Sequence, residues 1–228
     1  MHDSDNTYRV TAEIRRDGLI IAMLATMLLA GAVALGHLPA RVPTHFALNG
    51  RADGWSSPVQ AAFLPVLLAL ALWAVFLVLP LIDPRRRSYG QFAPVYRVVR
   101  TLVVASVLVS DGVTLLGALG VPIDRRIAEA FVLTGVLVVL GNLLPRVRPT
   151  WFVGIRTPWT LSNDEVWRRT HRLAGRLLVL FGLLPLLAAL LDRTAIPVAI
   201  GVAVLVPVGF SAAYSWWLFE RVGRAANG

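Results

Sequence analysis

Residues 60–82 read QAAFLPVLLALALWAVFLVLPLI, without one charged side chain. At about 1.5 Å per residue, a helix of this length crosses the ~30 Å hydrocarbon core of a bilayer. It is far too long for an ordinary strand, and a soluble surface helix would show a polar face. The stretch reads as a membrane helix, and much of the chain shares its character. Of 228 residues, 57% are hydrophobic and only 15% charged, with mean hydropathy +0.68. Soluble domains run near ~25% charged. These values exclude a soluble globular enzyme and a disordered tail.

The expected fold is therefore an all-α integral membrane protein, a bundle of six transmembrane helices. The spans fall at residues 19–38, 60–82, 98–120, 128–144, 173–191 and 196–219. The fourth is short, so it either tilts little or borrows a turn from residues 123–127. The first apolar run is too long for a signal peptide and reads as a retained helix.

All 22 basic residues are Arg, Lys is absent, and the formal charge is +9. Such an Arg-only, Ala/Val/Leu/Gly-rich composition fits a high-GC bacterial genome. With the spans drawn as above, 17 Arg fall on one side and 5 on the other, which predicts both termini inside a bacterial cytoplasmic membrane. The charge is then the usual excess of cytoplasmic loops, not a nucleic-acid surface. There is no Cys, hence no disulfide or thiolate metal site, and no cofactor motif is present.

Two loops exceed what connection requires: residues 39–59, outside, and residues 145–172, inside. Leu38-Pro39, Pro43-Thr44 and Phe46 match Leu144-Pro145, Pro149-Thr150 and Phe152 at a constant offset of 106. Either Pro and Thr coincide by chance at span exits, or residues 1–127 and 128–228 are two three-helix halves. An odd number of spans per half would make this an inverted 3+3 repeat.

In the outer loop, Asn49-Gly50 and Asp53-Gly54 are turn dipeptides that bring His45 towards Asp53. A compact hydrogen-bonded loop and a binding site both fit, but a metal would need more ligands. In the inner loop, Ser162-Asn163-Asp164-Glu165 reads as a capping box opening an amphipathic helix that runs into the fifth span. Asp164/Arg168 and Glu165/Arg169 are at i,i+4, and Trp167 and His171 share another stripe. Gly154 permits a tight turn and Pro158 stiffens the approach. Between them Arg156, beside Thr157 and Trp159, either staples the loop to the bundle or docks a partner. The expected internal acceptors of Arg156 are Asp164, Glu165, Asn142 and carbonyls ending the fourth span. In the third span, Asp111 beside Ser106, Ser110 and Thr114 is expected to face the bundle interior, as a protonated acid bonded to a neighbouring helix or as a ligand site.

The string Gly141-Asn142…Gly154-Ile155-Arg156-Thr157-Pro158-Trp159-Thr160-Leu161…Val166-Trp167…Thr170-His171-Arg172…Gly175 resembles the signature of SdpI-type membrane proteins. The outer Pro43-Thr44-His45-Phe46…Asn49-Gly50…Asp53-Gly54 loop resembles the DUF1648 module that often precedes it. Thr150 departs from the Asn expected before the aromatic pair, so that turn is capped differently. The resemblance implies a non-enzymatic protein giving immunity to a toxic peptide, relaying a membrane signal, or both. Its partners would be the lipid bilayer, a toxic peptide or envelope signal outside, and a cytosolic regulator at the basic inner loop. The alternative is a small transporter or a lipid or peptide flippase, favoured by Pro65, Pro185 and Pro207 within spans. Catalysis is disfavoured, since no His-Glu-x-x-His, Gly-x-Ser-x-Gly or Gly-rich Lys loop occurs.

Overall fold

A computed structural model describes residues 8–47 and 50–226, so Asn49 lies outside the described residues. The chain opens with α1 (Val10–Arg16) and α2 (Gly18–Ala34), bent by 64° at Asp17. A hairpin follows, β1 (Val42–Phe46) antiparallel to β2 (Ala52–Ser56). Then come α3 (Pro58–Ile82), the short α4 (Arg87–Gln91), α5 (Ala93–Ala118) and α6 (Arg125–Leu143), which runs into a 3-10 turn, Leu144–Arg146. After the second long loop come α7 (Pro158–Ser162), α8 (Asp164–Gly182), α9 (Leu184–Leu191) and α10 (Ile196–Ala226).

Among the described residues, five helical segments are long and apolar enough to cross a membrane: α3, α5, α6 with its turn, α8 with α9, and α10. The bent pair α1–α2 makes a sixth if its two helices count as one span. The first span differs from the expected straight run over 19–38, because α2 ends at Ala34 and the chain turns before the hairpin. The fourth does borrow its extra turn: the Asp124 carboxylate accepts from the N–H groups of Arg126 and Ile127, so α6 starts at Arg125. The fifth is one rod from Asp164 to Gly182 and breaks at Leu183, where Pro185 follows at the start of α9.

Helices α2, α3 and α5 pack on one another, as do α6, α8, α9 and α10, and α5 against α6 joins the two groups. The first group closes on Ile20, Leu24, Val66, Ala69, Val104 and Leu108. In the second, α6 and α8 come nearly to backbone contact. A Cβ on Gly141 would lie 2.7 Å from the Gly175 carbonyl, so small residues set that spacing. Large apolar side chains such as Leu190, Leu191 and Leu205 point outward, as lipid-facing residues do.

The two ends of the bundle are built differently. At one end the hairpin sits on α3 and α5, with Arg125 and Arg126 of α6 against it. Its loop reading holds as a strand pair, with Pro43 opposite Trp55 and His45 opposite Gly54. Ser57 closes it with a capping box onto Gln60, and Pro58 opens α3. At the other end lies a buried ion network absent from the expected site. The guanidinium of Arg100, fully buried, donates to Asp17 Oδ1 at 2.6 Å and to Glu13 Oε2 at 3.0 Å. Trp73 Nε1 donates to the other Asp17 oxygen at 2.8 Å, and Arg97 and Arg16 also reach Glu13. The bend at Asp17 is what turns both acids of the first segment onto α3 and α5.

Removing one partner of a buried ion pair costs about 3–5 kcal/mol, because the other charge stays buried. Arg100→Ala should lower unfolding free energy in detergent by about that amount. Arg16→Ala, which removes an exposed guanidinium, should cost under ~1 kcal/mol. Equal effects of the two would show that burial does not strengthen the network.

Candidate functional site

The loop end is built around Trp167 and His171, one helical turn apart on α8 and both buried. The rings stack with centroids 3.9 Å apart. Trp167 Nε1 donates to the Val147 carbonyl at 2.9 Å. The Ile155 N–H donates to His171 Nε2 at 3.0 Å, so that nitrogen carries no proton. His171 is therefore neutral, with Nδ1–H donating to the Trp167 carbonyl at 2.8 Å. Gly154 lies against this stack with φ +110°, and a Cβ there would run into His171 Nε2 and the Trp167 ring. Gly154 is thus required both by conformation and by space.

The rest of the loop is closed by short polar bonds. Thr150 Oγ1 donates to the Val153 carbonyl and accepts from its N–H, the alternative cap that its departure from Asn foretold. Thr157 caps α7 together with Thr160, and its hydroxyl meets Ser215 on α10 at 3.0 Å. Pro158 opens α7 and Trp159 is half-buried on it.

Three expectations here are corrected. Asn163, not Ser162, caps α8, since Ser162 ends α7 and donates back to Trp159. Asp164 pairs with Arg85 at 3.6 Å, not with Arg168, while Glu165 takes both Arg168 and Arg169. Arg156 is exposed and donates to the Trp151 carbonyl at 2.7 Å, within its own loop. It reaches neither Asp164, Glu165 nor Asn142, whose amide donates to Val138 on α6.

The staple comes from the segment before α5 instead. Buried Asp83 accepts from Tyr89 Oη and from the Trp151 N–H, both at 2.9 Å, and Arg85 donates to the Leu161 carbonyl at 2.6 Å. Burial and the Asp83 carboxylate push the Tyr89 phenol well above its usual range. Asp83-Pro84 directly after an apolar run was the available signal, but a loop acid says nothing of its partner 68 residues on.

At the hairpin end, His45 Nδ1 meets Asp53 Oδ1 at 2.6 Å across the strands, with both side chains largely exposed. Gly50 lies against Arg126 on α6. Beneath the hairpin, a cavity of about 550 Å³ opens between α3, α5 and α6. Ser106, Ser110, Asp111 and Thr114 line it from α5, and Arg125 and Glu129 from α6. Asp111 does face the interior, but no neighbouring helix bonds to it: neither oxygen has a hydrogen-bond partner. Glu129 was drawn within the fourth span without being recognised as part of a site. It accepts from Ser110 at 2.8 Å and pairs with Arg125 at 3.4 Å. Arg125 in turn lies 4.2 Å from the Phe46 ring and donates to Thr114 at 2.5 Å. Among the described residues no group of three or more His, Cys, Asp or Glu could hold a metal ion.

Residues 146–215, the loop end from the 3-10 turn through α8 and into α10, match the SdpI/YfhL protein family. Residues 22–70, from α2 through the hairpin into α3, match a domain of unknown function, DUF1648. The chain is a membrane protein similar to the SdpI/YfhL family over the first of these regions and to DUF1648 over the second. It is 22% identical over 169 residues to the Immunity protein SdpI of Bacillus subtilis (strain 168), covering 74% of this chain and 79% of that protein. No solved structure matches. Within this matched region, Gly154, Thr157, Trp167 and His171 all serve one packed loop.

Gly154→Ala should therefore lower stability by roughly 2 kcal/mol or more, from strain at positive φ and the collision with His171. Arg156→Lys should leave thermal stability in detergent unchanged, because Arg156 holds only an exposed carbonyl of its own loop. A large loss of stability in Arg156→Lys, or none in Gly154→Ala, would contradict this assignment.

Proposed function

We propose that this protein is a non-catalytic immunity protein that meets a toxic peptide at its hairpin face and relays its occupancy to a cytosolic regulator at the loop face. The observation that carries the reading is the cavity under the hairpin, lined by Asp111, Glu129 and Arg125. The relative's printed name, an immunity protein, supports the same reading. The Arg asymmetry supports an orientation with the hairpin outside a bacterial cytoplasmic membrane and both termini within. The loop face presents Arg168, Arg169, Arg172 and Arg176 along the exposed side of α8, a surface suited to an acidic partner. Arg156 is exposed and free of any bond to the bundle face, which fits docking better than stapling.

A second reading, a small transporter or flippase, draws on the break between α8 and α9 and on a deep carboxylate within reach of a cavity.

Survival decides between them. The chain is produced in a sensitive bacterial host, which is challenged with small secreted peptides encoded beside its gene. Immunity predicts survival raised about tenfold or more, and lost when the cavity is altered by Asp111→Leu at unchanged abundance. No protection against any such peptide would overturn the proposal.

A further inference from the structure

Inside a bilayer a carboxylate needs a partner from the protein or from whatever enters it. Glu13, Asp17 and Asp83 are each held by at least two donors. Asp111 is 4% exposed, and neither oxygen accepts a hydrogen bond. Protonation does not resolve this. A neutral carboxyl carries an O–H that needs an acceptor and a carbonyl that still needs a donor.

The surrounding hydroxyls narrow what would fit. Ser106 donates to the Val103 carbonyl, Ser110 to Glu129 and Thr114 to the Ser110 carbonyl. Each hydroxyl proton is already committed, so this wall of α5 offers lone pairs only. Arg125 donates to Thr114 and forms an ion pair with Glu129 Oε1 at 3.4 Å, an oxygen that itself accepts no hydrogen bond. With both acids ionised, the cavity carries one negative charge in excess. It calls for a cation with several N–H donors, and a primary ammonium has three. The remaining wall, including Pro65, Val107, Val132 and Val136, is apolar. A hard metal ion wants six or more oxygens and gains nothing from such a wall, whereas an alkyl chain does.

We propose that this cavity binds an alkylammonium group, the ammonium on Asp111 and the hydroxyls of Ser106 and Ser110, the chain against the valines, as a lysine side chain of a peptide would present it. The inference deepens the immunity reading and rests on it only for the peptide as the source.

The test uses the full chain in nanodiscs of phosphatidylcholine, a lipid whose headgroup carries no primary amine. Binding of n-butylammonium and of Nα-acetyl-lysine amide is read by thermal shift and titration, with n-butanol as the uncharged control. Saturable binding of both amines and none of n-butanol is expected. Asp111→Asn should weaken binding about tenfold or more, as for a truncated buried charge pair. Ser106→Ala should weaken it measurably, and gives the same reading if Asp111→Asn does not fold. No saturable binding to the wild type, equal affinity in every folded variant, or equal binding of n-butanol would overturn the proposal. Loss of amine binding on replacing phosphatidylcholine by phosphatidylethanolamine would make the lipid headgroup the occupant and overturn the peptide source. No toxin enters these assays. A wild type that binds the amines but protects no cell would sink the immunity reading alone, and a protective chain that binds none would sink this one alone.

Discussion

A polar side chain enclosed by lipid has no water to fall back on, and this constraint orders the molecule. Unsatisfied polar groups cost several kcal/mol each in such surroundings, and most charged residues within the bundle are gathered into bonded sets. Arg100 with Glu13, Asp17 and Trp73 is one set and ties the bent first segment to α3 and α5. His171 with Ile155 and Trp167 is another and fixes the long loop on α8. Asp83 with Tyr89 and Trp151 links that loop to the segment before α5. All three sets lie toward the same end of the bundle and cross-link its helices and long loop.

The opposite end obeys the rule less completely. Under the hairpin, Arg125 bonds Thr114 and Ser110 bonds Glu129 Oε2, while Glu129 Oε1 has only its ion pair with Arg125 and neither oxygen of Asp111 accepts a hydrogen bond. A cross-linked loop end and a hairpin end with an unsatisfied acid are what a receptor that reads one face and signals at the other would need. Coupling between them would travel along α5, which carries Arg100 near one end and Asp111 further along.

The membrane class, the span positions and the two long loops were legible in the sequence because apolar run length and turn residues are local signals. His45 with Asp53 was legible for the same reason, as two turn dipeptides bring the strands together. Trp167 and His171 were visible as a helical stripe, although their roles in holding Gly154 and Ile155 were not. The Leu161 carbonyl on Arg85, the two acids on Arg100 and the Trp151 N–H on Asp83 were illegible, since each of these bonds joins residues far apart in sequence. Arg100 in particular looks like any other Arg flanking a span until the bend at Asp17 folds two acids onto it. The swapped partners of Asp164 and Arg156 show the same limit: helical spacing offers a neighbour, and tertiary contact at Arg85 and a nearer carbonyl at Trp151 win.

Access to the cavity is the point on which the functional reading turns, and the absence of Cys makes it directly measurable. Ser110→Cys places a single thiol on the cavity wall. In vesicles of known orientation, a membrane-impermeant cationic thiol reagent is added from one face at a time. A cavity open beneath the hairpin predicts rapid labelling from the hairpin face, slowed by n-butylammonium, and none from the loop face. Labelling from the loop face alone, or from neither, would contradict it.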